Sequence, residues 1–308
     1  MIVAVRFREI GVRIWRALFT PSAAEGGRYD RADIIRIDAW FFRRLVMLHR
    51  NVIGIVIASV LVAFSGATAQ QKAAGKAAAT QPSGPRILKM TFTSDAKWSC
   101  YVARPAGETP RPAIILIHEW WGLNDWVKQQ AERYAEMGYV AVAPDLYRGE
   151  VAGDAEHAHE LMRGLTDERA VADLKGVFRW TSSRSFTKGK PIGVLGWCMG
   201  GGFALKLAIV EPRVACTVMC YGRPVLEVEQ LKKIKGPLLG IWGATDRGIE
   251  VEPFKKALAD AKVKATHHVY PGAGHAFLNE TNKMGYNKEQ AGKAWGKIDE
   301  FICLHLKG

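Results

Sequence analysis

The chain has 308 residues, of which 48% are hydrophobic and 24% charged, as in an ordinary globular protein with a substantial core. Its net charge of +13 is uneven, because the first 69 residues hold ten Lys/Arg and five Asp/Glu. The remaining residues hold 33 Lys/Arg and 25 Asp/Glu, a net charge of +8. No basic stripe with interleaved aromatic residues is present, so we expect no nucleic-acid partner.

The N-terminal region has the pattern of a targeting segment. Residues 52–64 are apolar except for Ser59, yet too few for the ~20 residues of a membrane-spanning helix. They precede Ala67-Thr68-Ala69, a small-x-small site suited to cleavage before Gln70. This pattern predicts export to the periplasm or the exterior, with no stable membrane insertion after cleavage. The alternative is an uncleaved membrane anchor at 52–64.

A start at Met1 would give this signal peptide an n-region about fifty residues long, whereas Met47 gives a usual one. We therefore interpret residues 1–46 as a misassigned extension and 47–69 as the signal peptide. Residues 70–85 lack the apolar side chains needed to offset ordering entropy and are predicted to be a flexible linker. The folded domain is then residues 86–308.

The domain opens with a predicted edge hairpin, residues 87–94 and 98–104, after which apolar strands alternate with helical patterns. Predicted strands cover residues 113–118, 139–143, 192–195, 214–219, 238–242 and 266–270. Predicted helices cover 126–137, 167–180, 203–210, 253–261 and 288–306. This alternation predicts an α/β fold, with a mainly parallel central sheet and helices on both faces.

The strand at 192–195 runs into Gly196-Trp197-Cys198-Met199-Gly200, which precedes a helical pattern. A tight turn between strand and helix needs glycines at its flanks and offers its central residue to solvent. The helix dipole beside Cys198 favours the thiolate and offers N–H donors to an anion. The sequence thus predicts a nucleophile at Cys198, against the alternative of an inert buried cysteine in a glycine-rich turn.

Two later strands each end near a residue that could complete a catalytic triad. Asp246 follows the strand at 238–242, and His275 lies in a Gly-rich loop after the strand at 266–270. The order nucleophile, acid, histidine is that of α/β-hydrolases. Cys198 would attack a carbonyl carbon as a thiolate. His275 would hold this thiolate as an ion pair and later activate water, and Asp246 would orient the imidazole.

The sequence resembles the dienelactone hydrolase family from about residue 86 to 306. Beyond the three triad positions, the resemblance includes Leu116 to Asn124 and Ala143-Pro144-Asp145-Leu146-Tyr147. It implies a small-molecule ester or lactone substrate. The alternative from another class is an exported redox-responsive thiol or binding protein on the same fold.

The resemblance also assigns residues around the triad. It implies that the Glu119 carboxylate meets the resting thiol and is displaced by substrate, although Glu119 could be a glutamate salt-bridged at a strand end. In this fold the oxyanion donors are backbone N–H groups, which map to Met199 and Trp120. Trp121 and Trp197 are predicted to wall an apolar substrate pocket.

Family members that act on dienelactone bind its carboxylate through two arginines. The matching positions here are Asn279 and a site near Ala155, while Arg148 and Arg163 lie elsewhere. A less charged ester or lactone is therefore as good a candidate substrate as dienelactone.

No cofactor or metal is predicted, because the sequence has neither a phosphate-binding glycine loop nor a clustered third ligand beside His157-x-His159. Cys216 and Cys220, four apart on a predicted strand, would lie about 13 Å apart, too far for a disulfide. Pairing of Cys100 with Cys303 stays open, as does the oligomeric state.

Overall fold

The computed structural model describes residues 86–95 and 98–307. The predicted translation start, signal peptide and linker lie in residues 1–85, outside the described residues.

Eight strands form one open sheet in the order β1-β2-β4-β3-β5-β6-β7-β8. The strands are β1 (Ile87–Thr93), β2 (Ser99–Pro105), β3 (Ala113–Ile117), β4 (Val140–Asp145), β5 (Ile192–Trp197), β6 (Thr217–Cys220), β7 (Leu238–Gly243) and β8 (Ala265–Tyr270). The β1–β2 hairpin is antiparallel and pairs with β4 at the sheet edge, whereas every pairing from β4 to β8 is parallel. The predicted mainly parallel sheet with an N-terminal edge hairpin is confirmed.

The helices of the described residues are α1 (Asp125–Glu136), α2 (Ala155–Gly164), α3 (Asp167–Ser183), α4 (Met199–Val210), α5 (Val228–Leu231), α6 (Val251–Asp260) and α7 (Lys288–Leu306). Helix α7 begins and ends where its pattern predicts. Helix α4 begins at Met199, four residues before the predicted start, because three glycines that weaken the local helical signal are nevertheless helical.

The sheet has an apolar core on each face, as a parallel sheet covered by crossover helices requires. Side chains of β3 alternate between the two cores, with Ile115 and Ile117 in one and Ile114 and Leu116 in the other. Helices α3, α4 and α6 pack on the first core, and α1 and α7 pack on the second. This arrangement leaves the carboxyl ends of the parallel strands free to carry functional residues.

Candidate active site

The turn between β5 and α4 holds its central residue in a strained conformation. Cys198 is the single residue between β5 and α4, and its φ of 53° and ψ of −119° lie where non-glycine residues are rarely found. A Cβ on Gly200 would collide with the backbone oxygens of Ile117 and His118, and one on Gly196 with the backbone of Gly200. The glycines therefore let α4 approach β3 and β5 closely enough to form the turn.

His275 and Asp246 complete a chain of contacts with Cys198. His275 Nε2 lies 3.1 Å from Cys198 Sγ, and His275 Nδ1 lies 2.7 Å from Asp246 Oδ2. The Gly248 N–H donates to the other carboxylate oxygen of Asp246 at 3.2 Å. The structure thus brings together the three residues that the strand ends were predicted to deliver.

The imidazole of His275 is set up to carry a proton. Burial lowers the pKa of His275, but its hydrogen bonds to Asp246 and Cys198 outweigh burial and raise the pKa to about 10. Asp246 is nearly buried, with 7% of its side chain exposed, so its carboxylate faces the imidazole with little solvent screening.

Glu119 follows β3 with its side chain buried beside this group. Its Oε2 accepts a hydrogen bond from Asn279 Nδ2 at 2.7 Å, and its Oε1 accepts one from the Tyr221 hydroxyl at 3.3 Å. Burial raises the pKa of Glu119, against the opposing effects of the Asn279 hydrogen bond, the His275 charge and the Tyr221 hydrogen bond. The expectation that Glu119 meets the resting thiol is wrong for this structure, because Glu119 is held by Asn279 and Tyr221 while the thiol faces His275.

His118 fixes the backbone around Glu119. Its Nε2 accepts from the Leu146 N–H at 3.2 Å, so its Nδ1 is the nitrogen that donates to the Glu119 carbonyl at 2.6 Å. Burial lowers the pKa of His118, which keeps this imidazole neutral. His118 thereby ties the end of β3 to the end of β4.

The two predicted oxyanion donors are available. Neither the Met199 nor the Trp120 N–H donates a hydrogen bond to another residue in the described part of the chain. Met199 is the first residue of α4, and Trp120 follows Glu119. Both N–H groups are therefore free to donate a hydrogen bond to an anionic oxygen.

The predicted pocket tryptophans separate in the structure. Trp121 is partly exposed and packs edge-on against Trp120 with ring centroids 5.0 Å apart, while Trp120 packs on His159 at 4.8 Å. Trp197 is fully buried, 5.0 Å from the Trp126 ring, in the core beneath the sheet. The prediction that Trp197 walls the pocket is therefore wrong, because its ring is fully buried against Trp126 of α1.

Arginines near the expected carboxylate subsite are engaged or distant. Arg148 pairs with Asp173 at 2.7 Å, and Arg163 lies exposed in the last turn of α2. Asn279, at the position of the second family arginine, is buried against Glu119. A surface concavity of about 500 Å³ lies at the opposite end of α4 from Cys198, lined by Ile209, Val210, Pro212, Lys232, Lys233 and Lys235.

The remaining cysteines are free. Cys100, Cys216 and Cys220 are buried and Cys303 is exposed, so Cys100 and Cys303 do not pair. Residues 86–95 and 98–307 contain no group of three side chains arranged to hold a metal ion. Within the same ranges, no helix combines the length and apolarity that crossing a bilayer requires.

Sequence reasoning missed the partners of Glu119. Tyr221 directly follows β6, at the same sheet edge as Cys198, so the strand-end rule that found the triad could also have found it. In the sequence, Asn279 stands out only as the replacement of a family arginine. Its role as a hydrogen-bond donor depends on a loop conformation that no local pattern predicts.

An open, mostly parallel sheet that carries a strained strand-to-helix turn, with an acid and a histidine after two later strands, defines an α/β-hydrolase. The chain belongs to the dienelactone hydrolase family, whose model matches residues 98–305.

Individual relatives agree with this assignment. A Saccharolobus solfataricus protein with the provisional name carboxymethylenebutenolidase is 32% identical over 253 residues, which cover 68% of this chain and 96% of the relative. Protein usf of Aquifex pyrophilus is 33% identical over 220 residues, which cover 67% of this chain and 93% of the relative. The crystal structure of a provisionally named dienelactone hydrolase from Klebsiella pneumoniae superposes with a TM-score of 0.63 and 29% identity, covering 69% of this chain and 97% of that one.

Proposed function

We propose that the protein hydrolyses small carboxylic esters or lactones through an acyl-enzyme on Cys198. The observation that carries this proposal is the continuous set of contacts from Asp246 through His275 to Cys198, at 2.7 and 3.1 Å. Membership of the dienelactone hydrolase family and the names of its relatives support the substrate class.

In the first half of the proposed reaction the Cys198 sulfur attacks the carbonyl carbon, with its proton held by His275 Nε2. The carbonyl oxygen becomes an oxyanion that accepts from the Met199 and Trp120 N–H groups. His275 then gives its proton to the departing alkoxide, and the carbon–oxygen bond to the alcohol breaks. For an ester the products of this half are the free alcohol and a thioester on Cys198, and for a lactone the opened ring stays on Cys198 as a hydroxyacyl thioester.

In the second half His275, again neutral, takes a proton from water. The resulting hydroxide attacks the thioester carbonyl, and the carbon–sulfur bond breaks to release the carboxylic acid. Asp246 holds the imidazole in one tautomer during both halves and stabilises its charged form. These reaction steps need no cofactor, since His275 carries each proton.

The surroundings favour a substrate without a carboxylate of its own. The charge of Arg148 is balanced by Asp173, and Asn279 is neutral and donates to Glu119, so neither supplies an unpaired positive charge for an anion. Trp121 and Trp120 present partly exposed aromatic rings next to the oxyanion donor. We propose that these rings contact an apolar acyl or alcohol group of the substrate.

The test is hydrolysis of a phenyl ester and a panel of unsaturated lactones, with and without a carboxylate, by the purified protein. Cys198→Ala and His275→Ala should each abolish turnover, and iodoacetamide should inactivate the wild type. Cys303→Ala is the matched control, because it removes an exposed thiol far from the triad. Equal turnover by Cys198→Ala and wild type would reject the mechanism, whereas alkylation without any hydrolysis would favour a redox-responsive thiol.

We also propose that the protein is exported, with residues 47–69 as a cleaved signal peptide and translation starting near Met47. The length, flanks and cleavage site of the segment at 52–64 support this proposal. N-terminal sequencing of the protein from its native host should find Gln70 first. An intact mass that retains residues 52–64 would instead support a membrane anchor.

A further inference from the structure

The Glu119 carboxyl group lies near His275, the residue that faces the Cys198 thiol. Tyr221 donates to Glu119, and its ring centroid lies 5.2 Å from that of His275. The Tyr221 side chain therefore contacts both the Glu119 carboxyl group and the His275 imidazole. Among the described residues, both oxygens of that carboxyl group are bound by Asn279 and Tyr221, and the thiol is bound by His275.

The orientation of the Asn279 amide is fixed by Thr281. Both the backbone N–H and the hydroxyl of Thr281 donate to Asn279 Oδ1, at 2.9 and 2.6 Å. Because Oδ1 is the acceptor, the Nδ2 group must face Glu119, where its distance to Oε2 is 2.7 Å. Asn279 is only 1% exposed, so water does not compete for these bonds.

Tyr221 is held in place by its backbone and its ring contacts. Its φ of 39° is unusual for a residue with a side chain, and it is followed by Gly222, whose Cα packs against the backbone of Gly201. The buried ring packs against both His275 and Phe277. Its hydroxyl therefore reaches Glu119 from a position that cannot easily shift.

From this geometry we infer that Asn279 and Tyr221 are positioning residues that hold the Glu119 carboxyl group away from Cys198. The thiol is then paired with His275 before any substrate arrives, and the nucleophile is ready in the resting protein. This inference rests on the proposed function, because it assigns Cys198 as the nucleophile. It differs from substrate-triggered activation, in which Glu119 would bind the thiol at rest.

The experiment measures alkylation of Cys198 in the full chain by iodoacetamide, without substrate, from about pH 6 to about pH 9. Alkylation forms a carbon–sulfur bond and releases iodide, while the thiol proton passes to His275. Peptide mass spectrometry follows Cys198 separately from the other cysteines. Wild type should react readily at neutral pH, because the thiol already faces His275.

Asn279→Leu removes the donor at nearly constant volume and leaves Glu119 free to bind the thiol. Its alkylation should slow about tenfold at neutral pH, the equivalent of one hydrogen bond to a charged group. Adding Glu119→Gln to Asn279→Leu should restore the wild-type rate, because the competing carboxylate is gone. Asn282→Ala is the matched control, since Asn282 supports the same loop through Ala276 and Gly285 without touching Glu119.

Tyr221→Phe gives a second reading should Asn279→Leu fail to fold. It keeps the ring against His275 and removes only the hydroxyl, so alkylation should slow by a smaller factor, about threefold, because its hydrogen bond is the longer one. An unchanged rate and pH profile in folded Asn279→Leu or Tyr221→Phe would overturn the inference. So would equal slowing in Asn282→Ala, or slowing that Glu119→Gln does not reverse.

Phenyl ester hydrolysis, measured in parallel, separates the two proposals. Slowed alkylation in Asn279→Leu without hydrolysis by the wild type would leave the positioning role standing and reject the hydrolase. Hydrolysis by the wild type together with unchanged alkylation in the variants would leave the hydrolase standing and reject the positioning role.

Discussion

His275 Nε2 lies 3.1 Å from Cys198 Sγ although the two residues are 77 positions apart in the chain. The sheet makes this meeting possible, because β5, β7 and β8 are parallel and their carboxyl ends lie along one edge. Asp246 reaches the other imidazole nitrogen from the end of β7. Three parallel strands therefore determine where the polar residues that follow them come together.

Asp246 should matter through His275 rather than through the substrate. Asp246→Asn keeps the shape of the side chain but removes the charge that orients and stabilises the imidazolium, so kcat should fall by about 10²–10⁴-fold. Asp260→Asn is the matched control, because Asp260 is an exposed partner of Lys256 at the end of α6. Ester hydrolysis rates of the two variants decide the matter, and equal rates would contradict the role of Asp246.

The glycines of the nucleophile turn should be irreplaceable for steric reasons. A Cβ on Gly200 would overlap the backbone of β3 and its following residue, so Gly200→Ala should lower the free energy of unfolding by about 3 kcal/mol. Gly292→Ala, in an exposed position of α7 where a Cβ meets nothing within 4 Å, should instead raise it by about 0.4–1 kcal/mol. Urea denaturation measures both changes, and a Gly200→Ala protein as stable as wild type would refute the packing argument.

The His275 ion pair should make stability depend on pH at the alkaline end. The pKa of His275 is raised from 6.5 to about 10 in the folded protein, so its stabilising contribution is complete below about pH 6.5 and is lost as pH rises through 10. The melting temperatures of wild type and His275→Ala should therefore differ most near pH 6 and converge toward pH 10. A difference that stays constant, or widens, with rising pH would contradict the raised pKa.

The stability of Glu119→Gln relative to wild type should increase as pH rises. Burial raises the pKa of Glu119, so the wild type loses stability as pH rises through that pKa, whereas a glutamine does not titrate. The melting temperature of Glu119→Gln relative to wild type should increase from acidic to neutral pH.

Glu132→Gln provides the control of opposite sign. Burial alone would raise the pKa of Glu132, but hydrogen bonds from Lys89 and Tyr101 outweigh it and lower the pKa. Glu132 therefore stabilises the wild type as pH rises, so this variant should lose stability relative to wild type over the same range. Identical trends in the two variants would show that local environment does not govern these carboxyl groups.

The sequence predicted the features that depend on period and order. Buried strands such as β3 and β7 are continuous apolar runs, and the residues directly after strands belong to the active-site edge. The direction in which a side chain points was harder to predict from the sequence. Trp197 directly precedes Cys198 in sequence, but its ring is fully buried against Trp126, which no local pattern predicts.

The surroundings of Glu119 depend on distant contacts and could not be predicted. Asn279 lies 160 residues from Glu119, and Tyr221 lies 102 residues from it. Their side chains meet because a loop after β8 and a strained residue after β6 converge on the end of β3. Single-sequence patterns predict where a strand ends, but not which way the following side chain turns.

The central claim is that Cys198 carries the acyl group. Mixing the protein with an excess of an activated phenyl ester, followed by rapid acid quenching and peptide mass spectrometry, tests it directly. The account predicts a burst of phenol release, with the acyl mass on the peptide that contains Cys198 and no such adduct in Cys198→Ala. Phenol released at the full rate by Cys198→Ala, or an acyl group found on another residue of the wild type, would contradict it.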